Sequence, residues 1–132
     1  MRQHTTTIAI ILLVLGTFTA SVRAADIAPD ELEAQFKDTV RPFLETYCLG
    51  CHGGDLPRGQ FFLSQYTSVE KVVESLSIWE TVQKRVSSRQ MPPKDAESRP
   101  SADLRKQFIG WIVALREHEA RKNAADANGS SE

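Results

Sequence analysis

Two thiols and an imidazole stand together in Cys48-Leu49-Gly50-Cys51-His52. The Cys-x-x-Cys-His spacing reads as a site for covalent attachment of a c-type haem. Each thiol can add across one vinyl group of the ring and make a thioether, which would tie the cofactor to the chain. The histidine beside the second thioether is then held under the iron, where an imidazole nitrogen can ligate it. The nearby Gly50, Gly53 and Gly54 are expected to let the backbone pass close to a flat ring, where a Cβ would collide.

An iron with one histidine ligand commonly takes a second axial donor, often a thioether sulfur. The chain has two methionines and three histidines. Met1 and His4 fall in an N-terminal leader, so Met91 is the one sulfur left for the second position. Pro92 and Pro93 follow it and cannot continue a helix, which predicts a stiff loop able to hold a sulfur at a set depth. His118 lies near the polar end of the last predicted helix and reads as a solvated surface residue.

The leader has the build of a secretory signal peptide: a short positive start at Arg2, an apolar run over 8–15, and small residues around Ala24. The run is short for a membrane span. The expected organisation is a signal peptide over 1–24, a helical domain over 25–120 and a disordered polar tail over 121–132. Export to the periplasm or an equivalent extracytoplasmic space follows, with membrane contact only transient unless the leader stays attached. The chain carries 16 basic and 17 acidic residues. Loss of Arg2 and Arg23 leaves 14 basic against 17 acidic, a net −3, so no basic excess suggests nucleic acid. Both cysteines lie in the opening motif, and none remains for a structural disulfide.

The elements that position these groups read as helices. Asp30 is a candidate cap for a helix to Val40, and Leu32, Phe36, Val40, Phe43, Leu44 and Tyr47 make one apolar stripe that delivers Cys48. Pro42 predicts a kink or a fresh helical start. A loop over 53–59 follows His52, then an apolar patch at Phe61, Phe62 and Leu63. Phe61 and Leu63 are candidate ring contacts, and the Pro57 carbonyl is a candidate acceptor for the His52 Nδ1 proton. A short helix is expected from Ser68. Ser77 and Glu80 have the form of a capping box opening a helix to about Arg89, with Trp79, Val82 and Val86 inward. Trp79 is chiefly a core residue, with its indole N–H a candidate donor to a ring carboxylate. Arg85 and Arg89 are further candidates for those carboxylates. Ser101 should cap a last helix with a stripe of Leu104, Phe108, Trp111, Ile112 and Leu115, packed on the N-terminal helix. The sum is an all-α fold of four or five helices around one cofactor. Its core is thin for its size, so the haem-free form is expected to be poorly ordered.

The sequence resembles a class I cytochrome c and, more narrowly, the planctomycete-type cytochrome c domain. The residues carrying this are the run from Val40 through Arg41-Pro42-Phe43-Leu44-Glu45-Thr46-Tyr47 to Cys48-Leu49-Gly50-Cys51-His52-Gly53, Gly59 with Leu63, Trp79 with Val82 and Val86, Met91-Pro92-Pro93, and Trp111-Ile112. The resemblance extends from Phe36 to Leu115. It implies one haem c bound through Cys48 and Cys51, with His52 proximal and Met91 distal, in a domain that carries single electrons to or from a redox partner protein. Such domains often open much longer proteins, and no function of those is carried over.

No Ser-His-Asp set, phosphate loop or second metal cluster points to an independent catalyst, so the chain reads as an electron carrier or an electron-transfer subunit of a larger redox enzyme. A haem-based sensor or ligand-binding module with a labile Met91 is the alternative. A thiol–disulfide oxidoreductase is more remote, because no βαβ pattern surrounds the cysteines. A zinc module lacks a fourth ligand close by.

Overall fold

Leu32, Phe36, Val40, Phe43 and Leu44 lie on one side of a long helical run and are all buried. This run opens the computed structural model, which describes residues 27–129. The expected signal segment lies outside the described residues. The run has three parts: α1 (Pro29–Gln35), a π-helical turn (Phe36–Val40) and α2 (Arg41–Tyr47). Its N-cap is Ala28, not Asp30, and the cap makes no side-chain hydrogen bond. Pro29 sets the start instead, because its φ suits the first helical position and its missing N–H would have been unpaired there. Asp30 falls in the first turn, where the helix dipole favours an acid.

Pro42 gives the fresh start that its sequence context predicts, lying in the first turn of α2. A proline in a continuing helix removes a bond to the carbonyl four residues back and crowds it. The wider turn before it relieves that conflict, and the Arg41 N–H donates to the Phe36 carbonyl, five residues back.

Four further helices follow: α3 (Leu49–His52), α4 (Val69–Val73), α5 (Leu76–Ser87) and α6 (Ala102–Gly129), with a 3₁₀ turn at Arg58–Gln60. The described residues are all-α, without strand. Ser68 caps α4 by accepting from the Lys71 N–H at 3.4 Å, as expected. The capping box at Ser77 is not formed. Helix α5 already starts at Leu76 with Ser75 as N-cap, so Ser77 lies inside it. Glu80 instead pairs with Arg116 of α6 at 3.3 Å and with Lys84 at 3.7 Å. The Ser75 N–H donates to Val72, so α4 hands over to α5 within one turn and leaves no room for a later start.

Helix α6 is the plank on which the others rest. Ser101 accepts from the Leu104 N–H at 3.2 Å, the cap expected from sequence. Trp111 meets Phe36 at a tilt and Trp79 edge-on, and Phe43 lies nearly parallel to Phe108 with centroids 4.1 Å apart. The Trp111 indole donates to the Leu32 carbonyl at 3.0 Å, a buried bond joining the N- and C-terminal helices. The inward stripe of α6 is Arg105, Phe108, Trp111, Ile112 and Leu115; Leu104, expected inward, is 39% exposed. Its place is taken by Arg105, which lies seven residues before Ile112 on the same face.

The polar segment read as a disordered tail from 121 continues α6 to Gly129. It is exposed along its length. The segment's alanines, Arg121 and Lys122 are strong helix formers, and a helix already nucleated by packing adds residues at little cost.

Replacing Trp111 with Phe keeps an aromatic side chain but removes the donor to Leu32 and part of the buried ring. The holoprotein should lose about 1–3 kcal/mol in denaturant titration, from the lost hydrogen bond and the lost packing. An unchanged midpoint would mean the bond holds nothing together.

Candidate functional site

Cys48 is where the first helical run ends. Its φ of −122° breaks the helix, and the carbonyl of Cys48 accepts from both the Cys51 N–H (3.1 Å) and the His52 N–H (2.9 Å). One tight turn therefore carries both thiols, and residues three apart on such a turn share a face. The turn stops at Gly53, whose N–H donates to Leu49 at 2.8 Å. A Cβ on Gly53 would lie 2.7 Å from the Leu49 carbonyl oxygen, too close to stand. This is a close approach of backbone to backbone rather than to a ring. Gly50 has open space around it, and Gly54 is needed for its φ of +71°.

The chain then loops back on itself. The Leu63 N–H donates to the His52 carbonyl at 2.8 Å, and the Phe61 ring meets the imidazole edge-on at 5.5 Å. These contacts fix the histidine from its own side of the loop. Its Nδ1 is buried without a hydrogen-bond partner among the described residues. The Pro57 carbonyl accepts from the Gln60 N–H instead, so the sequence-based pairing of Pro57 with the imidazole is not made.

Beside this turn lies a cavity of about 610 Å³ with a mainly apolar wall. Tyr47, Cys48, Cys51, His52, Phe61 and Leu63 line it from one part of the chain. Ile78, Thr81, Val82, Arg85 and Val86 line it from α5, and Met91, Pro92, Pro93 and Ala96 from the loop beyond. Arg58 and Gly59 complete it. The structure thus brings Cys48, Cys51, His52, Phe61, Leu63 and Met91 to one space. Pro57 and Trp79 stay out of it. Trp79 is fully buried against Tyr66, Phe108 and Trp111, and its indole N–H has no partner among the described residues. Position 79 points into the helical core, while 78, 81, 82, 85 and 86 of the same helix face the cavity.

Met91 reaches the cavity through a well-defined helix end. Arg89 takes the left-handed conformation (φ 61°) just after α5. Its N–H donates to Val86 at 3.1 Å, and that of Gln90 to Arg85 at 3.0 Å, the paired bonds of a Schellman cap. The Met91 N–H also donates to the Arg85 carbonyl, at 3.0 Å. From α6, the Arg105 guanidinium Nη1 donates to the Val86 carbonyl at 2.7 Å and the Met91 carbonyl at 2.9 Å. Burial lowers the Arg105 pKa, and the neighbouring charges of Arg89 and Arg99 lower it further. The sequence reading missed Arg105. Its place three residues before Phe108 on the buried stripe was the available signal.

The Cys48 thiol differs from the attacking thiol of a redox pair. Burial pushes the Cys48 thiol up from 9.0 to about 12, and the nearby Cys51 adds to the shift. A thiol–disulfide oxidoreductase works through a thiolate with a lowered pKa, so Cys48 is poorly placed for that chemistry.

The residues fit a covalently held haem. Two free cysteines sit on one wall, a histidine with an orphaned buried nitrogen stands beside them, and a thioether borders the same apolar space. Cys48 and Cys51 would hold the ring by thioethers, and His52 and Met91 would supply donors to the iron. An all-α fold with this donor set is consistent with a small cytochrome c-like domain. Residues 48–95 match the family model described as Planctomycete cytochrome C, the family that the sequence resembles. No curated protein and no solved structure matches the chain.

Two outcomes follow from this geometry. Gly53→Ala should destabilise the holoprotein by about 1–3 kcal/mol, the usual cost of overpacking, whereas Gly50→Ala, in a helical position with open space, should not destabilise it. Equal melting temperatures for the two variants would contradict the close approach at Gly53. The second concerns pH. Burial penalises the Cys48 thiolate, so the haem-free fold is unaffected below pH 9.0 and loses stability as pH rises toward about 12. In haem-free chain that keeps its helical circular-dichroism signal, iodoacetamide at pH 8 to 9 should alkylate Cys51 ahead of Cys48, whose reactive thiolate is made scarce by burial. Equal rates would show that Cys48 is not shielded.

Proposed function

We propose that this chain is an exported c-type cytochrome that holds one haem covalently and passes single electrons to or from a protein partner. The observation that carries the reading is the meeting of Cys48, Cys51, His52 and Met91 on one apolar cavity. The match of residues 48–95 to the planctomycete cytochrome family supports it.

Each residue has a defined task. The Cys48 and Cys51 thiols each add sulfur and hydrogen across one vinyl double bond, which forms a thioether without any oxidant. Their spacing on one turn sets the two bonds on the same side. His52 offers an imidazole whose ring is steadied by Phe61 and by the His52–Leu63 backbone bond. Met91 offers a sulfur from a loop stiffened by two prolines. Bound haem supplies an iron that alternates between ferrous and ferric states, and methionine ligation favours a raised potential. The apolar wall keeps water from that centre. Arg58 and Arg85 border the cavity and supply positive charge for the carboxylates of the ring. His52 and Met91 together would leave a bound iron no free site for a substrate, which suits a carrier rather than a catalyst.

The N-terminal run over 8–15 with small residues at Ala24 supports export, and bacterial haem attachment takes place outside the cytoplasmic membrane. The partner is a redox protein, and the electron leaves by whichever ring edge the cavity mouth exposes.

Expression of the full chain with a cytochrome c maturation system should yield a pyridine haemochrome spectrum of a bis-thioether haem and a mature N-terminus at Ala25. A product without covalent haem would sink the proposal. In the ferric protein, Met91→Ala should abolish the long-wavelength absorption band of sulfur-ligated haem and lower the midpoint potential. Wild-type protein that lacks the band and binds small ligands directly would favour the sensor with a labile Met91.

A further inference from the structure

We propose that Arg105 is a positioning residue for Met91, holding the methionine's backbone so that its sulfur stays in the cavity. The inference rests on the reading of Met91 as an axial ligand and goes beyond it. It assigns a role to a residue of α6 that does not line the cavity.

Three observations carry it. First, both backbone polar groups of Met91 are pinned from different elements. The N–H donates to the Arg85 carbonyl at the end of α5, and the carbonyl accepts from Arg105 on α6. Second, the same Nη1 atom also reaches the Val86 carbonyl at 2.7 Å. Val86 and Met91 are separated by the Schellman turn, so one guanidinium nitrogen closes that turn across its mouth. Third, Arg105 is only 8% exposed, and among the described residues no carboxylate forms an ion pair with it. Burying a cation without an anion is costly. Here the compensation is backbone carbonyls at a helix C-terminus, where the helix dipole favours positive charge. An apolar residue would fill that volume more cheaply, but it could not hold two carbonyls at once.

Met91 needs such support. The prolines stiffen the chain after it but donate no hydrogen bonds. Arg105 ties the loop to the one long helix that also anchors the N-terminal run carrying Cys48. The loop bearing the sulfur and the turn bearing the imidazole are thereby referenced to the same rigid element.

The test uses ferric holoprotein and imidazole, a small ligand that competes with the methionine sulfur for iron. Arg105→Met removes both bonds and keeps the bulk; Arg105→Lys keeps the charge and can serve one carbonyl. Ile112→Val loosens α6 elsewhere and serves as the stability control. Arg105→Met should bind imidazole roughly tenfold to hundredfold more tightly than wild type, the factor for losing a charged hydrogen bond that holds the competent state. Arg105→Lys should fall between the two, and the sulfur band of Arg105→Met should fade at lower temperature than in Ile112→Val. If Arg105→Met yields no holoprotein, the comparison of Arg105→Lys with Ile112→Val decides the matter in the same way. Should the arginine variants match Ile112→Val in imidazole affinity and in the sulfur band, Arg105 has only a structural role and the proposal fails. Met91→Ala separates this from the underlying reading. If the sulfur band survives that change, Met91 is not the ligand, and both the axial assignment and the role of Arg105 fall.

Discussion

The packing of α6 against the N-terminal helical run is the constraint on which the rest depends. A short chain has little apolar surface to bury, and here most of it is gathered along one interface. Phe36, Phe43, Phe108, Trp79 and Trp111 form a continuous aromatic cluster there, closed by the indole bond from Trp111 to Leu32. The run that ends at Cys48 is thus held at a set angle and depth. Helix α5 packs through Trp79 on the same buried stripe of α6 and fixes where Met91 emerges. Without that interface, the thiol turn and the methionine loop would have no common reference.

The cavity is a consequence of this division. Helix α5 faces two ways: Trp79 enters the aromatic cluster, while Val82 and Val86 are buried at the cavity wall. The core is complete on one side and open on the other. Cys48, Cys51 and His52 stand where the open side begins, on a turn too short to be stable by itself. That turn is held by backbone bonds to Cys48 and by the return of Leu63 to His52. Site and fold are therefore coupled through the backbone, and the side chains that would bind a cofactor remain free to do so.

Charge follows a similar logic. Two of the arginines near the site have backbone or amide partners that orient them. Arg85 donates to Gln90, and Arg105 to Val86 and Met91. Arginine suits such places because its planar fork can serve several acceptors while remaining charged. The methionine loop is consequently a hydrogen-bonded structure rather than a free strap.

Much of this protein was legible in the chain alone. Cys48, Cys51 and His52 announce themselves because their chemistry demands a fixed local spacing. The helical stripes announce themselves because burial repeats with the helix period. Pro42 was readable for the same local reason, as was the cap at Ser101. The errors have a common cause. Ser77 and Asp30 are good caps in isolation, but the start of a helix is decided by where its neighbours leave room. Trp79 is the core residue its stripe predicts, but its candidate donation to a ring carboxylate and the candidate pairing of the Pro57 carbonyl with His52 are not made, because packing turns both groups elsewhere. The tail past 121 looked too polar to order, but it inherits a helix nucleated by the buried stripe before it. Local sequence determined which groups could do chemistry. Tertiary structure alone decided that Met91 shares a cavity with His52, and that Arg105 holds its loop, because those contacts join segments far apart in the chain.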